Sequence, residues 1–170
     1  MYLEFLILIS DYFQTLNRRL FIFEWLIPAL FVISLYFLNR NMGLIPFKVF
    51  KENALDILGI LLGFSIAIIT IITTGSGKNL DEIKNKTTQF TTNNKAVTLY
   101  ELLLINFTYS VIVEIFIIIG CLTVPLISGF FQLTINCKLI LYLLLVFGII
   151  HILLLTMRNL TDFYFIITKK

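Results

Sequence analysis

The sequence predicts an all-α integral membrane protein with four transmembrane helices. Apolar residues make up 59% of the 170 residues and charged residues only 14%, whereas soluble domains contain about 45–50% apolar residues. The apolar residues gather in four runs, each long enough for a helix to cross the roughly 30 Å hydrocarbon core of a bilayer. Each run contains at most one acidic residue and neither lysine nor arginine. We place the spans at residues 20–38, 54–74, 102–127 and 139–157, within a single membrane domain that covers residues 1–170.

Residues 2–17 are predicted to form a helix that lies in the membrane interface. At helical spacing, Glu4, Asp11 and Gln14 share one face, and leucine, isoleucine and phenylalanine side chains occupy the other. This pattern is typical of a helix that lies parallel to the membrane surface. The alternative is a helix that runs without a break into the first span.

The first span contains one acid and one proline. Glu24 is expected near the membrane boundary, loosely paired with Arg18 and Arg19. Pro28 is expected to bend the helix. We assign these residues no role beyond the shape of the span.

The second span carries a stripe of small residues. Gly59, Gly63 and Ala67 recur every four residues and therefore lie on one face. Small side chains at this spacing allow helices to approach closely in lipid, which predicts a helix-packing surface. The alternative is a narrow face directed toward a pore. Further polar residues extend the same stripe at its two ends, namely Asp56, Thr70 and Thr74.

The third and fourth spans carry the polar residues that point to function. Asn106, Ser110 and Glu114 are spaced four residues apart, and Glu114 lies near the centre of its span. An ionised group at that depth costs on the order of 2.5–3.5 kcal/mol, so such residues face the interior of a bundle or a wet cavity. His151 in the fourth span lies at a similar depth, and we predict that it meets Glu114. The contact is either a hydrogen bond between helices or part of a lining that conducts ions or protons.

The middle loop, residues 75–98, is the largest segment outside the spans. Asn79 and Glu82 have the spacing of a capping box and predict a short helix. The loop is a candidate surface for a cytoplasmic partner, with a solvated linker as the alternative. Its candidate contact residues are the lysines Lys78, Lys84 and Lys86.

The distribution of basic residues predicts the orientation. Four spans place both termini and the middle loop on one side, which would hold nine lysines and arginines against four on the other. The excess predicts that both termini are cytoplasmic. We therefore expect a multi-pass protein whose immediate partner is the lipid bilayer.

The sequence shows no catalytic set and no cofactor motif. The single histidine and scattered acids do not form a metal site, so we predict no enzyme activity, no cofactor and no metal. The net charge of +3 is small and dispersed, which argues against direct binding of nucleic acid.

The architecture resembles that of small membrane components of bacterial anti-phage systems. A four-span chain with both ends inside, a glycine-bearing second span and a lysine-rich middle loop is similar to the membrane subunit of Kiwa-type systems. It is also similar to the accessory membrane proteins encoded beside type VI-B CRISPR nucleases. The resemblance implies a homo-oligomer in the bacterial inner membrane that senses infection, recruits a cytoplasmic nuclease or nucleic-acid-binding defence protein, or permeabilises the membrane.

Two classes of function follow. We expect an oligomeric pore or permeability component in antiviral defence, with the stripe of Asn106, Ser110 and Glu114 lining a path between copies. The alternative is a non-conducting scaffold or sensor that recruits a cytoplasmic partner, in which the stripe is sealed inside each subunit. A small transporter is disfavoured because the sequence has no inverted repeat and no paired broken helices.

Overall fold

The computed structural model describes residues 4–42, 47–92, 95–130 and 135–168. Four helical stretches within these ranges are long and apolar enough to cross a membrane, so the predicted all-α, multi-pass architecture is confirmed. They comprise Arg18–Leu38, Val49–Thr74, Leu99–Val124 and Cys137–Ile166. The last stretch extends nine residues beyond the predicted end at residue 157. Its additional polar residues lie on a helix packed against the rest of the bundle and do not end it.

The first span is built from three consecutive helical elements. Its middle element is a π-helical turn, which is wider than an α-helical turn because its hydrogen bonds join residues five apart. The elements in chain order are α1 Glu4–Gln14, α2 Arg18–Phe21, the π turn Ile22–Leu26, α3 Ile27–Met42, α4 Phe47–Thr74, α5 Lys78–Asn85, β1 Thr87–Thr92, β2 Lys95–Thr98, α6 Leu99–Phe130 and α7 Ile135–Thr168.

The helix α6 lies at the centre of the bundle, between α4 and α7, and the first span packs on α7. Three clusters of buried side chains follow one another along the bundle. We call the end next to the β-hairpin, where Thr74, Leu99 and Ile166 lie, the hairpin end. From that end the clusters contain Ile68, Ile72, Ile83, Leu103 and Phe107, then Tyr12, Leu58, Tyr109, Ile152 and Leu155, then Ala54, Cys121, Leu145 and Ile149.

The outer surface of the bundle is apolar. Large side chains such as Phe37, Ile60 and Phe165 are 62%, 73% and 63% exposed. A water-soluble protein rarely exposes apolar patches of such extent. The distribution is that of helices solvated by lipid, with Glu24, Glu114 and His151 turned inward.

The N-terminal helix α1 packs lengthwise against α6, with the opposite direction. The Phe5 ring lies 6.1 Å from that of Phe116, and the Tyr12 ring lies 3.6 Å from that of Tyr109. The packing therefore differs from the interfacial helix expected over residues 2–17, of which residues 2 and 3 lie outside the described residues. The alternative of a helix continuous with the first span is wrong, because Asn17 caps the new helix α2 by accepting a hydrogen bond from the Leu20 amide at 2.9 Å.

The small-residue stripe of α4 faces away from the other helices. Gly59, Gly63 and Ala67 are exposed, and no described atom lies within 4 Å of a Cβ added at either glycine, leaving aside the chain neighbours and the helix's own nearby backbone. The predicted helix-packing surface is thus not formed within one chain. The opposite face of α4 packs instead, through branched side chains that fill the space toward α6. The glycine at a close helix contact is Gly148 of α7, where an added Cβ would lie 2.7 Å from Ile117 Cδ1.

The middle segment is a folded unit. The helix α5 and the antiparallel strands β1 and β2 dock on the hairpin end through the buried side chains of Ile83 and Val97. The short helix was predicted, but it begins at Lys78 with Gly77 at the cap position, so Asn79 is not its N-cap residue. The strands were not predicted. We call α5, β1 and β2 together the platform.

Candidate functional site

The buried polar side chains of the bundle centre on Glu24, which is fully buried. Arg158 Nη1 of α7 lies 2.6 Å from Glu24 Oε1 as an ion pair, although the atoms are not aligned as a hydrogen bond. The Tyr12 hydroxyl of α1 donates a hydrogen bond to Glu24 Oε2 at 2.5 Å. The expected pairing of Glu24 with Arg18 and Arg19 at the membrane boundary is therefore wrong, since the helix turns the carboxylate inward toward α7.

A proline explains why the backbone of Glu24 also takes part. Pro28 has no N–H group and cannot donate to the carbonyl four residues earlier, which is that of Glu24. The helix forms its π turn at this point, and π turns are frequent at functional sites. His151 Nδ1 lies 2.7 Å from the freed Glu24 carbonyl oxygen. Because a carbonyl oxygen only accepts, Nδ1 carries the proton.

The other ring nitrogen of His151 connects the site to α6. His151 Nε2 lies 3.2 Å from the Tyr109 hydroxyl, which donates to it when the ring is neutral. The Tyr109 ring stacks on that of Tyr12, with an angle of 1° between their planes. The Trp25 indole donates to the Tyr12 hydroxyl at 3.4 Å and packs beside His151. These contacts close a ring of interactions around Glu24.

Tyr12 keeps its proton in this arrangement. Burial, followed by the hydrogen bond to Glu24 and the charge of Glu24, raises the pKa of Tyr12 above its usual value. The hydroxyl therefore remains a donor to the carboxylate across the ordinary pH range. We refer to Tyr12, Glu24, Tyr109, His151 and Arg158 as the Glu24 centre, which joins α1, the first span, α6 and α7.

No protein-family model, curated protein or solved structure matches this chain. Within the described part of the chain, no three His, Cys, Asp or Glu side chains gather where they could hold a metal ion. The Glu24 centre has instead the chemistry of a lock between helices. Its carboxylate, phenols and imidazole each bind a group from another element, which fixes those elements relative to one another.

The predicted polar stripe of α6 faces the interior of the bundle. Asn106, Ser110 and Glu114 are 4%, 0% and 0% exposed. Ser110 donates to the Asn106 carbonyl oxygen and accepts from Asn159 Nδ2, each at 3.2 Å. The stripe is thus buried within a single chain, as the scaffold alternative required, with Asn159 of α7 as an additional partner.

Glu114 and His151 do not form the predicted hydrogen bond. Both nitrogens of His151 bind other groups, and neither carboxyl oxygen of Glu114 has a hydrogen-bond partner among the described residues. The Ser65 hydroxyl of α4 interacts with the Glu114 carboxyl group but does not meet hydrogen-bond geometry. The two residues share a depth, but depth alone does not set the direction in which each side chain points.

Replacing Glu114 with methionine is expected to stabilise the protein by about 1–3 kcal/mol, because a buried polar group without a partner carries its full desolvation penalty. Thermal unfolding of the purified protein in detergent measures the effect. Glu52→Met, at an exposed acid of α4, is the matched control and should leave the midpoint nearly unchanged. A loss of stability in Glu114→Met alone would mean that the folded protein gives this carboxyl group a partner.

Arg158, Tyr12, Tyr109 and Asn159 were missed by the sequence analysis. One sequence signal points to the Glu24 carbonyl that His151 binds and another to Arg158 and Asn159, whereas none points to Tyr12 or Tyr109. Pro28 follows Glu24 by four residues and so marks a carbonyl that lacks its helical donor. On α7, Arg158, Asn159 and Asp162 continue the face of His151 at helical spacing, beyond the predicted end of the span.

The candidate lysines of the middle loop are exposed on the platform. Lys78, Lys84 and Lys86 all reach solvent. Lys84 Nζ lies 3.7 Å from Asp81 Oδ1 as an ion pair and 5.6 Å from the centre of the Tyr100 ring. The lysines therefore project from a folded surface instead of a linker.

Proposed function

We propose that this protein is a non-conducting membrane scaffold that holds a soluble partner at the hairpin end of its bundle. The observation that carries the proposal is the burial of the polar stripe. Asn106, Ser110 and Glu114 are at most 4% exposed in a single chain. A path between copies lined by these residues would need them on the outer surface. Their burial favours the scaffold or sensor over the pore that was expected from the sequence.

The platform supplies the surface for the partner. Its helix and strands are anchored by Ile83 and Val97, so its exposed side chains keep a fixed arrangement. Segment 75–98 contains four exposed lysines but only two acids, Asp81 and Glu82. The surface of the platform therefore carries a net positive charge. Such a surface complements an acidic patch on a partner. The exposed lysines are Lys78, Lys84, Lys86 and Lys95.

The cellular setting of the proposal follows from the resemblance and from the basic residues. We place the protein in the bacterial inner membrane with both termini and the platform in the cytoplasm. The partner would be a cytoplasmic nuclease or nucleic-acid-binding protein of antiviral defence. Residue-specific photo-crosslinking from position 84 in cells should then yield one discrete adduct that is lost in Lys78→Glu/Lys86→Glu, whereas crosslinking from the lipid-facing position 60 should not.

A flux measurement decides between the scaffold and a pore. Purified protein in liposomes with a potassium gradient is expected to give no ion flux and no dye release above protein-free liposomes. Glu114→Gln should leave this result unchanged, because the carboxyl group faces no path through the membrane. Flux from the parent that disappears in Glu114→Gln, with the mass of the particle in detergent unchanged, would contradict the proposal.

A pore lined by α4 is the second candidate, and one observation favours it. The outward stripe of α4 carries an exposed acid, Asp56, which is costly on a surface that faces lipid. Small residues along the same stripe allow helices from several copies to approach. In this candidate the copies meet along α4. Flux that is present in the parent and altered by Asp56→Asn, but not by Glu114→Gln, would establish it over the scaffold.

A further inference from the structure

A cavity of about 320 Å³ with both polar and apolar walls opens at the hairpin end, between the loop after α1, α2, the middle of β1, α6 and α7. Its position, next to the ends of the four long apolar helices, corresponds to the boundary between hydrocarbon and headgroups. The wall combines apolar side chains of Leu20, Phe90 and Leu102 with polar and charged ones. The polar and charged residues of the wall include Asn17, Arg19, Gln89, Arg158 and Asp162.

The two arginines provide donors for a phosphate group. Arg158 uses Nη1 for Glu24, while its Nε and Nη2 are buried and have no hydrogen-bond partner among the described residues. Arg19 is exposed and lies on the same cavity. Guanidinium groups bind phosphate oxygens through paired, charge-assisted hydrogen bonds. The cavity therefore offers phosphate a binding group on each of two helical elements.

Asp162 restricts the ligand further. It lines the same cavity and lies close enough to Arg158 to interact electrostatically. A ligand that is only anionic would meet the like charge of this carboxylate. A ligand that carries both a phosphate and a primary ammonium group matches the two arginines and the acid together. A trimethylammonium group would match the charge but has no N–H to donate.

An apolar groove continues from the cavity. It has a volume of about 480 Å³ and shares Asn17 with the cavity. Its wall is formed mainly by the side chains of Phe13, Leu16, Phe21 and Ile22. A headgroup in the cavity could thus extend an acyl chain into the groove on the outer side of Asn17.

From these features we propose that the cavity at the hairpin end binds phosphoethanolamine, carried by a phosphatidylethanolamine lipid whose acyl chain follows the groove. Arg19 and Arg158 bind the phosphate, and Asp162 accepts hydrogen bonds from the ammonium group. This site is independent of the proposed scaffold function and of the pore alternative. It would tie the loop after α1 and the platform to a particular membrane lipid.

Native mass spectrometry of the purified protein in detergent tests the site. Phosphatidylethanolamine, phosphatidylglycerol and phosphatidylcholine with identical acyl chains are added in turn at equal concentration. The parent is expected to bind phosphatidylethanolamine about tenfold more tightly than the other two lipids. This is the difference expected from one charge-assisted hydrogen bond, here between the ammonium group and Asp162. Equal binding of the three lipids would overturn the proposal.

Two variants separate the roles of the charged groups. Asp162→Asn should reduce the preference for phosphatidylethanolamine over phosphatidylglycerol about tenfold, while Arg19→Gln should weaken binding of both. Glu52→Gln, at an exposed acid of α4, is the control for loss of one negative charge and should change neither. Circular dichroism of each variant establishes that it is folded. A folded Asp162→Asn protein with unchanged preference would overturn the assignment.

Competition with soluble phosphoethanolamine distinguishes a membrane lipid from a free metabolite as the ligand of the cavity. If the lipid is the ligand, millimolar phosphoethanolamine should not displace bound phosphatidylethanolamine, because the groove contributes to lipid binding. Displacement that depends on Asp162 would support the same site with a free metabolite as its ligand. Displacement that is equal in the parent and in Asp162→Asn would overturn recognition of the ammonium group.

Discussion

Replacing Arg158 with methionine is expected to destabilise the folded protein by about 3–5 kcal/mol, because Glu24 would remain buried without its cation. Glu24 is fully buried and Arg158 only 12% exposed, so little water reaches the carboxylate to replace the lost partner. Removing both charges, in Glu24→Gln/Arg158→Met, should cost less than the single change. Unfolding in increasing SDS, followed by the fluorescence of the single tryptophan, Trp25, beside the Glu24 centre, measures the parent, the two single variants and the double variant.

The matched control for this double-mutant cycle of Glu24 and Arg158 is Arg18→Met. Arg18 is exposed at the start of α2, so the same substitution there should change stability by less than about 0.5 kcal/mol. Additive penalties for Glu24→Gln and Arg158→Met would show that the two side chains are not coupled. That result would contradict the ion pair as the centre of the polar lock.

Replacing His151 with leucine is expected to leave two buried groups without partners, at about 1–3 kcal/mol for each. The groups are the Tyr109 hydroxyl and the Glu24 carbonyl oxygen. In a Pro28→Ala background the new amide of residue 28 can donate to that carbonyl, as in an ordinary α-helix. The His151→Leu penalty should therefore be smaller by roughly 1 kcal/mol in Pro28→Ala than in the parent.

Tyr109→Phe is the companion background for this experiment. It removes the hydroxyl that binds His151 Nε2 but leaves Pro28 and the Glu24 carbonyl as they are. The His151→Leu penalty should again fall, and the reductions from Pro28→Ala and Tyr109→Phe should add, because they concern different nitrogens of one ring. An unchanged penalty in Pro28→Ala would mean that the proline is not the reason why His151 binds this carbonyl.

Part of the candidate site was predictable from the sequence, but its centre was not. Glu114 and His151 were expected to be shielded from lipid, because a charged or polar side chain within an apolar run has few other places to lie. Glu24 was not expected to be the central residue, since it lies close enough to the end of its span to have been assigned to the membrane boundary. The partners of Glu24 come from residues 12 and 158, and no local pattern joins positions so far apart.

The α4 stripe shows the same difference between pattern and packing. The spacing of Gly59, Gly63 and Ala67 correctly indicates a single face, because helical periodicity is local. Which face of α4 turns toward α6 depends on how well the side chains of both helices fill the space between them. That choice left Gly59, Gly63 and Ala67 outside and placed Leu58, Ile68 and Ile72 inside.

The amino-acid sequence by itself determined the membrane class, the four long helices and the single helical face shared by the α6 stripe. Length, hydropathy and helical periodicity are properties of consecutive residues, so a single chain segment is sufficient to establish them. Only the tertiary structure decided the direction of α1, the partners of Glu24 and His151, and the outward position of the α4 stripe. These depend on side-chain directions and on contacts between distant segments, which are set when the helices pack and their buried polar groups find partners.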